Sequence, residues 1–164
     1  MKKVLIAFAL LALLFACSSD DEENNDIDQR YQHIIDAYVS WKDIAKWLSE
    51  QGDPTGSFYP FTTEAIEGDE LVDMPIILCL TTSQAFNMQC PVSSCKGIGI
   101  VSNNEDGKLE CSHCHSIFGA VSGIPLSGIA DEEDVSLLQY KVERIGKYSD
   151  YSHKYHITNP KYKE

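Results

Sequence analysis

Basic side chains are scarce in this 164-residue sequence: 13 Lys and Arg stand against 25 Asp and Glu, a formal net charge of −12. Phosphate neutralisation takes Lys and Arg, so this balance excludes nucleic acid as a partner. It also predicts a soluble chain that resists self-association. Long apolar runs are lacking too. Val4–Phe15 is uninterrupted but only twelve residues long, short of the ~20 that a membrane-spanning helix needs. There is no Gly-rich phosphate loop, no Ser/His/Asp grouping in a diagnostic context, no carboxylate pair that can be assigned to a cleft, and no internal repeat. These absences remove the common catalytic classes, and the expectation is a protein that is not an enzyme.

The short apolar run has a meaning of its own. Lys2 and Lys3 precede it and a small residue, Ala16, ends it, which is the build of a secretory signal peptide. Leu14-Phe15-Ala16-Cys17 resembles the motif cut by lipoprotein signal peptidase. That resemblance implies that residues 1–16 are removed and that Cys17 becomes a lipidated first residue; an ordinary signal peptide would leave Cys17 with no special role. Ser18–Asp28 then carries six acids and one apolar residue, too little to bury, and reads as a disordered tether over residues 17–28. It is similar to the acidic stretch that directs some Gram-negative lipoproteins to the outer face of the cell, and it would also serve as a plain solvated spacer. The expected location is the outer membrane of a Gram-negative cell, lipid-anchored, on its periplasmic or exposed side. Removing residues 1–16 takes away Lys2 and Lys3 and no acids, leaving 11 basic against 25 acidic residues and a net charge of −14.

Residues 29–164 suit one domain with its own core. Apolar residues at 27, 31, 34, 35, 38, 41, 45 and 48 predict an amphipathic helix over Ile27–Leu48, stopped by Gly52-Asp-Pro54. Trp41 and Trp47 are assigned to packing. Met74–Thr81 reads as a buried strand with Gln84–Gln89 as its hairpin partner. Ile98–Ser102 and Lys108–Glu110 flank a turn ending at Gly107. Leu137–Arg144 alternates as a half-buried strand does, and Tyr151–Ile157 reads as a last strand. The sum is a mainly β fold: a small antiparallel β domain with one N-terminal amphipathic helix.

Apart from Cys17, five cysteines remain. Secretion makes disulfides permissible, but five is odd. Cys79 lies within an apolar run and is expected to be a buried, inert core residue. The other four cluster: Cys90-Pro-Val-Ser-Ser-Cys95, then Cys111-Ser-His-Cys114-His115. Two short cysteine loops between strands can converge on one metal, as zinc knuckles do. His113 and His115 flank Cys114; protonated, they would raise its thiolate fraction, and otherwise they are exposed loop residues. His33, His153 and His156 are isolated and read as surface residues. Cys111-x-x-Cys114 also fits a redox dithiol, but the neighbouring strands and Gly-rich turn are not the βαβ setting such a site needs.

Ala85-Phe-Asn-Met-Gln-Cys90-Pro91, Leu109-Glu-Cys111-Ser-His-Cys114-His-Ser-Ile-Phe118, Gly123-Ile-Pro125-Leu-Ser-Gly128 and Leu137-Leu-Gln-Tyr140-Lys-Val142 resemble, in order and spacing, the two cluster loops and closing strand of Rieske-type domains. The similarity covers roughly residues 70–145. Such domains hold a 2Fe–2S cluster on two cysteines and two histidines. Cys90 and Cys111 match the cysteine positions, whereas Val92 and Cys114 occupy the histidine positions; His115 becomes an alternative ligand only after a one-residue shift. Three readings follow. The four cysteines bind zinc or an all-cysteine 2Fe–2S cluster, or they form disulfides that pin the loops, or they are reduced remnants. The resemblance favours a bridge from Cys95 to the second loop, where His113 holds the usual partner position and Cys114 would substitute. The expected function is a membrane-anchored Rieske-like module whose cysteine site holds two loops together. The alternative is a 2Fe–2S electron carrier serving a redox or cell-envelope protein. The chain is too short to carry the extra catalytic domain of an oxygenase.

Overall fold

The computed structural model describes residues 33–52, 57–95, 97–103, 107–147 and 152–160. The expected signal peptide, the Cys17 lipidation site and the acidic tether lie outside the described residues. Among those residues the protein is mainly β, and every strand pairing is antiparallel. In chain order the elements are β1 (His33–Ile34), β2 (Asp36–Ser40), α1 (Trp41–Glu50), β3 (Phe58–Glu67), β4 (Glu70–Cys79) and β5 (Gln84–Asn87). They are followed by β6 (Ile100–Asn103), β7 (Lys108–Cys111), β8 (Ile117–Gly119), β9 (Pro125–Ser127), α2 (Ile129–Glu132), β10 (Gln139–Ile145) and β11 (Lys154–Thr158).

Seven strands form one sheet in the order β1-β3-β4-β5-β10-β11-β2. Its outermost strands, β1 and β2, are separated in the chain by Ile35 alone. One extended segment therefore pairs with β3 through Ile34↔Ile66 and with β11 through Ala37↔Ile157, and the sheet nearly closes on itself. Closure leaves few unpaired edges, the usual weakness of an antiparallel sheet. The β3–β4 hairpin turns through Gly68-Asp69, with Gly68 at a φ of +62°. That left-handed conformation costs glycine little and other residues considerably more.

A second sheet, β6-β7-β8-β9, is inserted between β5 and β10. Period-two alternation along β4 ties the two sheets together. Met74, Ile76 and Leu78 join a core with Val39, Ala85 and Ile157, covered by Ile44 and Leu48 of α1. Ile77 and Cys79 point the other way, into a second core with Phe86, Val92, Ile100, Leu109 and Phe118. A strand buried on both faces needs a continuous apolar run rather than an alternating one, which is why Met74–Cys79 carries one. Cys79 is fully buried, and burial pushes its thiol up to about 12. It is a core residue, as expected.

Two sequence expectations are corrected. The helix expected over Ile27–Leu48 begins only at Trp41; residues 33–40 are strand. Ile35, Ala37 and Val39 alternate inward, while Ile34 and Tyr38, which completed the helical spacing, are exposed. β3 and β11 supply ladder partners that no local pattern reveals. Ser40 then starts the helix as its N-cap, accepting from Asp43 N at 3.2 Å. The second correction concerns His153, which is buried rather than superficial. It stacks on Trp41 at 5.0 Å and meets Tyr155 edge-on.

Candidate metal centre

Both cysteine loops belong to the inserted sheet. The first leaves β5 and is closed by a bridge between Gln89 and Ile98. Cys90 N donates to Gly97 O at 3.2 Å and Cys95 N to Val92 O at 2.9 Å, which folds the loop back on itself. The second loop turns from β7 into β8: Cys111 is the last residue of β7, His115 N donates to Cys111 O (2.9 Å), and Cys111 N donates to Ser116 O (3.0 Å). His115 takes a φ of +57° to complete the turn. Ser112 N donates to Gly99 O at 2.7 Å, so the second loop hangs from the segment that follows the first.

The result brings together four residues separated by as many as 24 positions. The sulfurs of Cys90, Cys95, Cys111 and Cys114 all lie within 4.8 Å of one another. Cys95 and Cys111 stand 3.5 Å apart, and Cys90 and Cys114 stand 3.7 Å apart. These are not bonded distances, since a disulfide measures about 2.05 Å. They match a zinc tetrahedron: a Zn–S bond of about 2.3 Å makes each S···S edge about 3.8 Å. The two pairs of terminal sulfurs on a 2Fe–2S cluster are held on different irons, about 5 Å or more apart across the inorganic core. Four sulfurs this close can hold a metal ion or close into disulfides.

Burial and hydrogen bonding set the four thiols apart from one another. Burial raises the Cys90 thiol well above its ordinary value. Burial and the hydrogen bond with Cys111 raise Cys95 to about 11. Burial also pushes Cys114 up, but hydrogen bonding with the Ser116 side chain and backbone, and with Cys111 and Cys90, outweighs it and brings this thiol down to about 7. The Ser116 hydroxyl lies 3.3 Å from the Cys114 sulfur and accepts from Ala130 N at 3.1 Å, which fixes its orientation. Closely spaced like charges oppose one another, and a divalent ion removes that opposition while displacing the remaining protons.

No family model matches this chain, and neither does any curated protein or solved structure.

The quartet expected from the sequence is the quartet that converges. The alternative ligand does not join it: the exposed His115 ring bonds Glu110 at 3.0 Å instead. Cys95–Cys111 and Cys90–Cys114 approach to 3.5 and 3.7 Å, and the Cys95–Cys114 pair that the resemblance favours lies within 4.8 Å. Val92 is 2% exposed and packs in the second core. Three supporting groups escaped sequence reading. A methyl on Gly99 would lie 3.0 Å from the Cys111 sulfur and 2.7 Å from His113 Nδ1, so only glycine leaves room for both. Ser116 is buried behind Cys114. Glu133 accepts from Ser93 N (3.0 Å) and Ser93 Oγ (2.9 Å), clamping the first loop to the end of α2. Gly99 and Ser116 carry a faint signal, since each is a small residue close to a cysteine loop; Glu133 carries none. A cleft of about 360 Å³ beside Trp47, Phe58, Met88 and Val101 is lined by no titratable side chain, and one of about 330 Å³ beside Gln84 and Gln139 is lined by Tyr140 and Lys141; no site cysteine lines either.

Proposed function

We propose that this chain is a lipid-anchored, non-catalytic module of the cell envelope, Rieske-like in build, in which Cys90, Cys95, Cys111 and Cys114 hold one zinc ion that fastens two loops together. The observation that carries this reading is the mutual approach of four sulfurs to within 4.8 Å. A single tetrahedral ion fits that spacing, whereas a two-iron cluster calls for a longer site. The insertion of a four-stranded, loop-bearing sheet between β5 and β10 supports the Rieske-like build, as do the matching motifs. The ligand set departs from that family at Val92 and Cys114. The Leu14–Cys17 motif supports lipid anchoring, and the acidic Ser18–Asp28 stretch supports the outer membrane.

A closed structural site has four protein ligands and no open position for substrate. Its contribution is to folding: the ion replaces the packing that two short polar loops cannot supply. The chain, purified anaerobically in detergent, is expected to carry one zinc per molecule and to be colourless. Four alkylatable thiols at the site with no metal would overturn the reading. A coloured protein with two irons and a reducible paramagnetic signal would replace it with the electron carrier.

A further inference from the structure

The two short sulfur distances have a pattern. Cys90 belongs to the first loop and Cys114 to the second; Cys95 belongs to the first and Cys111 to the second. Both close pairs therefore cross between the loops. They also differ in access. Cys95 is 8% exposed and Cys111 is fully buried; Cys114 is the half-buried sulfur of the outer pair, and Cys90, its 3.7 Å partner, is half-buried as a whole residue.

Resting on the one-ion reading above, we propose that the quartet is a redox-switched site that releases its zinc as two inter-loop disulfides form, Cys90–Cys114 first and Cys95–Cys111 second. The oxidant is a disulfide, either small or carried by a protein. A zinc-bound thiolate of the outer pair attacks one sulfur of the incoming disulfide and expels the other half as a thiolate. The second outer sulfur attacks the resulting mixed disulfide and expels the remaining half. One S–S bond breaks, one forms, and two electrons pass from the protein sulfurs to the incoming disulfide. The zinc keeps only two thiolates and leaves as a free ion. A second equivalent of disulfide oxidises Cys95 and Cys111 in the same way.

The geometry makes this exchange conservative. Each sulfur pair must close by about 1.5 Å to reach bonding distance, and each new bond spans the loops that the ion spanned. The inserted sheet thus keeps a cross-link in either state. A bond within one loop, Cys90–Cys95 or Cys111–Cys114, would leave the two loops untied.

The test uses the zinc-loaded full chain in detergent, titrated anaerobically with oxidised glutathione. Zinc release is followed with a colorimetric chelator, and disulfides are mapped by mass spectrometry after alkylation. The expected result is one zinc released per two thiols lost, Cys90–Cys114 as the first bond and Cys95–Cys111 as the second. Cys79 stays reduced throughout. A first bond within one loop, a first bond between Cys95 and Cys111, or zinc retained beside a mapped Cys90–Cys114 bond would overturn the proposal, as would a site that oxidised glutathione leaves fully reduced. The same mapping on metal-free chain separates the two readings. Failure of the reduced chain to bind zinc overturns the ion, whereas a same-loop bond in the metal-free chain overturns the switch.

Discussion

Ile35 N–H donates to the Asn159 side-chain oxygen at 2.7 Å, joining residues 124 positions apart at the seam where the sheet nearly closes on itself. The same side chain donates from its nitrogen to His33 O at 2.8 Å. Ile35 falls between β1 and β2, where the chain changes partners, and Asn159 satisfies backbone groups that lie between the two ladders. Asn159→Ala strands a part-buried donor and acceptor, and is expected to cost about 1–3 kcal/mol in urea denaturation. Asn159→Asp keeps the acceptor for Ile35 and is expected to cost less. An unchanged midpoint in the alanine variant would contradict the seam.

Gly99→Ala tests how closely the scaffold approaches the site. The added methyl meets the Cys111 sulfur at 3.0 Å and the His113 ring at 2.7 Å. The ring is exposed and can swing away; Cys111, buried at the end of β7, cannot. Zinc affinity is expected to fall about 10- to 100-fold, the range typical of groups that hold metal ligands in place. The circular dichroism spectrum should stay the same. Equal affinity in a chelator competition would show that Cys111 has more freedom than its packing implies.

Zinc uptake should strengthen with pH. Cys90 and Cys95 are raised and must give up protons to the ion, so affinity rises as protons become scarcer. Cys114, lowered from 9.0 to about 7, adds one more proton only below that pH. The slope of log affinity against pH is therefore expected to ease as pH rises through about 7. In the metal-free chain the same lowered value contributes stability that is present above pH 9 and is lost as pH falls through about 7. Ser116→Ala removes a hydrogen bond that favours the thiolate and should move the break upward. Chelator competition from pH 6 to 9 in both proteins reads it directly.

Val92→His tests the proposed Rieske-like build by placing a histidine at the position that the resemblance assigns to a ligand. Val92 is 2% exposed and lies in the second core with Ile100, Leu109 and Phe118, the core that also holds Cys95 and Cys111. The imidazole is expected to destabilise the domain by about 1–3 kcal/mol for an unpaired polar group in an apolar core. Zinc stoichiometry should be unchanged. A variant that gains iron and colour would show that the first loop can turn this position outward.

Much of the β architecture was legible because it rests on local pattern. β4 announced itself through an apolar run that both its faces use, and β5 and β10 followed from alternation and turn residues. β3 escaped notice because Pro60, Thr62, Thr63 and Glu64 dilute its alternation; long pairing with β4 holds it in place. The segment 33–40 misled for a different reason. It satisfies helical and strand spacing at once, and only the remote partners β3 and β11 choose between them.

The four cysteines were identifiable from sequence because thiols in short loops at that spacing have few other uses, and Cys79 was separable because it sits in an apolar run. Which sulfur faces which was not legible. That depends on how far each loop folds back, through Cys90 to Gly97, Cys111 to Ser116 and Ser112 to Gly99, at distances that only the packed sheet fixes. The sequence by itself thus determined the ligand types, the acidic charge and the β pattern, all properties of residues and their near neighbours. The tertiary structure decided the near-closure of the sheet, the room left by Gly99, the support from Ser116 and the convergence of the four sulfurs. Each of these is a contact between residues distant in the chain, which no local periodicity encodes.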